Sequence, residues 1–78
     1  MNLKWTREGK TPERPWVKHS FNSDDDLYWG QIYGPDGYDN KYSLVVNSTE
    51  VTYEANFNTL KQARAMALKR CIMERDNA

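Results

Sequence analysis

The clearest pattern in the chain is the alternation "VTYEANF" over residues 51–57, which sets Val51, Tyr53, Ala55 and Phe57 against Thr52, Glu54 and Asn56. A period of two residues is that of a half-buried strand. Before it, "YSLVV" places Tyr42, Leu44 and Val46 on one side, and the intervening "NSTE" is a turn. "LYWGQIY" reads as an aromatic-rich strand over 28–33. It ends at "GPDG", where Gly34, Pro35, Asp36 and Gly37 supply the preset and positive φ values of a turn. "WVKHSF" is a short strand that alternates Val17, His19 and Phe21 with Trp16, Lys18 and Ser20. The period changes only at "NTLKQARAMALKRCIMERDNA". There Thr59 and Gln62 form a capping-box pair, with Asn58 as an alternative cap, and Leu60, Ala63, Ala67 and Cys71 share a helical stripe flanked by Met66 and Leu68.

The expected fold is therefore α+β. Three to four antiparallel strands form a meander in the order β-β-β-β-α, and one C-terminal helix packs on one face. Residues 16–78 make this domain. Residues 1–15, with Gly9, Pro12 and Pro15 among charges, are expected to be a basic, irregular arm, with Trp5 docked back onto the domain.

At 78 residues the chain is near the lower size at which one hydrophobic core sustains a fold. The apolar share of 38% is low, so the ten aromatic rings must carry much of the core. The single cysteine, Cys71, cannot form an internal disulfide, which suits a reducing compartment. The start "MNLKWTREGK" has no apolar run of signal-peptide type, and no window of the sequence approaches the length of a membrane span. A cytoplasmic protein, monomeric or weakly dimeric and without membrane contact, is the expectation.

The net charge of zero conceals three blocks. Residues 1–21 hold five bases against two acids, residues 22–58 seven acids against Lys41 alone, and residues 59–78 five bases against two acids. A block of net −6 framed by two of net +3 can steer a charged partner over about a Debye length, ~8–10 Å.

Catalytic chemistry finds no footing in the sequence. His19 is the only histidine, no serine or cysteine motif of nucleophile type accompanies it, and Cys71 lies on the apolar stripe of the helix. No glycine-rich phosphate loop joins a strand to a helix. The triplet Asp24, Asp25 and Asp26 places carboxylates at adjacent rather than alternating positions, and the twelfth residue of that stretch is Pro35, which does not match a calcium loop. No catalytic set, metal or cofactor is expected.

Two binding readings remain. A basic helix carrying Lys61, Arg64, Lys69 and Arg70, together with the basic arm, can contact phosphates. The stretch "YSLVVNSTEVTYEANFNTLKQARAMA" resembles the strand, turn, strand and helix rhythm of integrase arm-binding and AP2-like domains, whose sheets enter the major groove. Those sheets present Arg and Lys outward, whereas this one presents Glu50, Thr52, Glu54 and Asn56, which DNA would repel. The other reading is protein recognition. Tyrosine and tryptophan beside carboxylates suit a basic partner, through ion pairs and cation–π contacts. Asp24, Asp25, Asp26, Trp29, Asp36, Tyr38 and Asp39 are the candidate contact residues, with the triplet facing Tyr38 and Asp39 across the hairpin. In size and architecture the chain is similar to the small inhibitor proteins of bacteriophages and mobile elements, anti-CRISPR and anti-restriction proteins among them. The resemblance implies occlusion of a host nucleic-acid-handling complex at a basic surface, and it carries over no individual residue.

Overall fold

In the computed structural model, which describes residues 1–77, every predicted strand is present and a further one precedes them. The strands are β1 (Leu3–Glu8), β2 (Val17–Ser23), β3 (Trp29–Gly34), β4 (Tyr42–Asn47) and β5 (Thr52–Phe57), followed by α1 (Leu60–Asp76). They form one antiparallel five-stranded sheet in chain order, a meander in which each strand pairs with its sequence neighbour. Ala78, the last residue of the expected domain, lies outside the described residues.

The N-terminal arm is the main correction. Residues 3–8 are not irregular but form the edge strand β1, registered on β2 from Leu3 opposite Ser23 to Glu8 opposite Lys18. Leu3 and Trp5 alternate with Lys4 and Thr6, a period of two too short to stand out among the charges. Gly9, Pro12 and Pro15 all fall in the connection that follows, so proline withdraws no ladder donor. Arg14 organises this connection. Its guanidinium donates to Glu8 at 3.0 Å and to the Gly9 carbonyl at 2.7 Å, while its backbone N–H donates to the Thr11 hydroxyl at 2.9 Å.

Thr59 caps the helix, its hydroxyl accepting from the Gln62 N–H at 3.1 Å. From there α1 crosses mainly β4, and also β5 and β3. Its buried residues are Ala63, Ala67 and Cys71, spaced by four and thus on one stripe. They meet Phe21, Tyr28, Ile32, Leu44 and Val46 to complete the buried core. Small side chains on the helix allow a close approach, and the sheet supplies the volume.

Gly30 belongs to this close packing. It sits opposite Phe21 and Val46 on the helix side, and a Cβ there would lie 2.0 Å from the Val45 carbonyl and 2.7 Å from the Phe21 ring. Only glycine fits. Gly34 has φ of 148°, and a Cβ on it would meet the Tyr42 ring at 2.8 Å. Gly30→Ala is expected to destabilise the fold by about 1–3 kcal/mol through overpacking, whereas Gly9→Ala, in open space, stays within about 0.5 kcal/mol. Urea denaturation of the two variants measures the difference.

Candidate functional site

A single helix covers one face of the sheet, and the strand period settles what faces outward on the other. Three cross-strand rows make up this open face: Lys4, Asn22, Trp29, Asn47 and Thr52; then Thr6, Ser20, Gln31, Val45 and Glu54; then Glu8, Lys18, Tyr33, Ser43 and Asn56. Hydrogen bonds order part of it. Ser43 donates to Asn56 at 3.0 Å and Thr52 donates to Asn47 at 3.1 Å.

Its apolar content is aromatic. Trp29, 41% exposed, and Tyr33 lie on the same face of β3, four residues or ~14 Å apart. Trp16, 37% exposed, stands edge-on to Tyr33 with ring centroids 6.2 Å apart. Trp16, Tyr33, Gly34, Asp36 and Ser43 enclose a recess of about 230 Å³, below the ~300–1,000 Å³ of a typical small-molecule pocket and suited to one side chain. Of the strand aromatics, Trp29 and Tyr33 face outward, while Tyr42 and Tyr53 pack on the helix side.

The predicted acidic cluster does not assemble as one patch. Asp24, Asp25 and Asp26 occupy the β2–β3 connection at the Trp29 end of β3. Asp36, Tyr38 and Asp39 occupy the β3–β4 connection at the Gly34 end, so the six-residue strand, ~20 Å, separates them. A hairpin loop lies beside the strands it joins, and these two loops cap opposite ends of the same strand. The expectation that they face each other is therefore overturned.

Most of these aspartates also serve the loops themselves. Ser23, fully buried, donates to the Asp25 carboxylate at 2.5 Å and accepts from the Tyr28 N–H at 3.1 Å. Asp25 accepts in addition from the Leu27 N–H at 3.1 Å. The Ser23 hydrogen bond, followed by that from Leu27, holds the Asp25 carboxyl below its ordinary pKa. Asp24 exchanges backbone and side-chain bonds with Asn2, at 3.0 and 3.3 Å. Asp36 accepts from the Tyr38 N–H at 2.7 Å and Asp39 from the Lys41 N–H at 3.0 Å, both Asx-type turns. Asp26, with φ of 60°, and Tyr38, fully exposed, are the members of the set that the loops leave free.

Of the four bases of the nucleic-acid reading, Arg70 is occupied in a similar way and Arg64 is positioned on a ring without a carboxylate partner. Arg70 lies 4.3 Å over the Tyr53 ring and donates to Glu74 at 2.7 Å, and Arg64 lies 4.5 Å over Trp5. Lys61 and Lys69 remain exposed, eight residues or ~12 Å apart along the helix. Sequence reasoning missed Trp16 and Tyr33 as contact residues, although their presence beside Pro15 and Gly34 was legible. Their pairing on one face depends on the strand register.

Cys71 sits fully buried beneath the helix, and burial pushes its thiol up to about 11. Among the described residues no group of three or more His, Cys, Asp and Glu side chains is placed to hold a metal ion, and no helix is long and apolar enough to cross a membrane. Comparison with protein-family models, with curated proteins and with solved structures finds no match for the chain.

Two outcomes follow from this geometry. Asp25→Ala is expected to destabilise the fold more than Asp26→Ala, because it strands the buried Ser23 hydroxyl. Asp25 has a depressed folded pKa, so its stabilisation is present above the ordinary aspartate range and is lost as pH falls through the folded value. The gap between the two variants in thermal denaturation should accordingly close in strong acid. Cys71, for its part, should resist thiol reagents at pH 8 in the folded protein and react at the rate of unfolding in urea.

Proposed function

We propose that the protein is a non-enzymatic binding protein whose helix-free sheet face docks on a basic, nucleic-acid-binding surface of a larger complex, in the manner of the small phage inhibitors it resembles. The observation that carries this reading is the row of Trp29, Tyr33 and Trp16 on the open face, framed by acidic turns at both of its ends. An aromatic centre with a polar, charged rim is the anatomy of a protein interface, and Trp and Tyr are the commonest hot-spot residues. The contact set shifts accordingly. Trp29 moves to its centre, Trp16 and Tyr33 join it, and Asp24, Asp26, Asp36, Tyr38 and Asp39 become rim residues at two separate ends. Asp25 serves the loop.

The charges favour a basic partner over nucleic acid. On the face itself Lys4 and Lys18 balance Glu8 and Glu54, so the acidic turns at both of its ends set the sign and would repel a phosphate backbone passing across the strands. Nucleic-acid binding through the basic helix has weaker support, because Arg70 is paired with Glu74 and held over the Tyr53 ring.

The test is affinity capture of a partner from nuclease-treated bacterial lysate, with release by added duplex DNA or RNA. The captured complex should bind the wild-type protein and be competed away by nucleic acid. Trp29→Ala with Tyr33→Ala should weaken capture by about 30-fold or more, the loss of a hot spot worth ~2 kcal/mol. Asp24→Lys with Asp26→Lys should weaken it less and reduce its salt sensitivity. Undiminished capture by the aromatic double variant would sink the proposal. A gel shift of a short duplex at low salt, abolished by Lys61→Gln with Lys69→Gln, would support the nucleic-acid alternative instead.

A further inference from the structure

On the opposite side of the molecule, two arginines and the histidine lie on neighbouring rungs without a paired carboxylate. Arg7 and His19 stand directly opposite each other in the β1–β2 register, on the helix side of the sheet, with Cβ atoms ~5 Å apart in such a pair. One rung along, Trp5 faces Phe21, their ring centroids 4.9 Å apart, and the Arg64 guanidinium lies 4.5 Å above Trp5. Arg64 is thus held over the same column of side chains as Arg7 and His19. The protein has five arginines. Arg14, Arg70 and Arg75 each pair with a carboxylate, to Glu8, Glu74 and Asp76. Among the described residues, the two arginines without such a pair, Arg7 and Arg64, are the two beside His19.

We infer that Arg7, His19 and Arg64 form a binding site for a phosphate-type oxyanion. His19 is half-buried, Arg7 and Arg64 stand exposed beside it, Arg64 is positioned by the Trp5 ring, and guanidinium forks match the oxygens of a tetrahedral anion. Glu8, although next to Arg7 in sequence, points to the other face and is engaged by Arg14. On its other side His19 pairs with Ile32, which brings no charge. The charged groups that act on the imidazole are Arg64 and Arg7, and together with burial, the larger cause, they lower its pKa. These groups disfavour the protonated histidine. A bound oxyanion removes that repulsion and lets His19 take up a proton, adding a third charged donor. The site is independent of the open-face reading, since none of its residues lies on that face.

His19 is the only histidine, so its imidazole resonances report the site without ambiguity. Its pKa would be measured by NMR in sodium sulfate, whose dianion stays ionised near neutral pH, in sodium phosphate, and in sodium chloride of equal ionic strength. Sulfate and phosphate should each raise the pKa relative to chloride by on the order of one unit. Arg64→Gln and Arg7→Gln should remove most of that shift, Arg64→Lys should restore part of it, and Lys18→Gln on the opposite face should leave it intact. An unchanged pKa in all three salts, or an equal loss in Lys18→Gln, would overturn the site. A short oligothymidylate without terminal phosphates identifies the source of the group. A larger shift than inorganic phosphate at equal phosphate concentration assigns the site to a nucleic-acid backbone, and a smaller one to a free phosphorylated ligand. Both outcomes support the site.

Discussion

The structure depends on one helix lying close to a five-stranded sheet, its fully buried side chains no larger than cysteine and Leu60 and Met66 packing at the margin. Ala63, Ala67 and Cys71 contribute little volume of their own, so Phe21, Ile32, Leu44 and Val46 must fill the layer from the sheet side. The same closeness explains why Gly30 has no side chain, since Phe21 and the Val45 carbonyl already occupy its place. A helix of 17 residues, ~25 Å long, crosses β3, β4 and β5 but does not blanket β1 and β2. Trp5 closes that flank. It lies between Phe21 and Arg64, so that an indole and a guanidinium stand where more of a helix would otherwise be needed.

Covering one face commits the other to solvent or to a partner. Sheets of this kind separate an apolar side from a polar one, and twelve of the fifteen residues in the open rows are Ser, Thr, Asn, Gln, Lys or Glu. The aromatic exceptions are concentrated on the central strand β3, where Trp29 and Tyr33 gain no core burial. Trp16 extends them from the end of the β1–β2 connection. Large rings at the centre of a polar face have no role in folding that a smaller polar residue would not fill, and this motivates the binding proposal.

Charge has a double use here. Carboxylates that look like a surface patch in the sequence largely accept hydrogen bonds from their own loops: Asp25 from Ser23 and Leu27, Asp36 from Tyr38, Asp39 from Lys41. Arginines divide in the same way into those that pair with acids and those that stay free around His19. The formal balance of eleven acids and eleven bases thus coexists with a cationic corner on the helix side and acidic turns at both ends of the open face.

Local periodicity by itself determined four strands to within one or two residues, the helix with its Thr59 cap and the stripe Ala63, Ala67 and Cys71, because side-chain alternation and capping act over a few residues. Composition also indicated that Trp5 docks onto the domain. β1 was obscured, since an edge strand with only two apolar positions reads as a charged arm until β2 supplies its partner. The tertiary structure alone decided which side chains share a face. Tertiary structure separates Asp24–Asp26 from Tyr38 and Asp39 by the length of β3, sets Trp16 against Tyr33, and brings Arg7, His19 and Arg64 together from three elements. Those neighbours are 12 to 57 residues apart in the chain, and their proximity is a property of pairing and packing that no local pattern encodes.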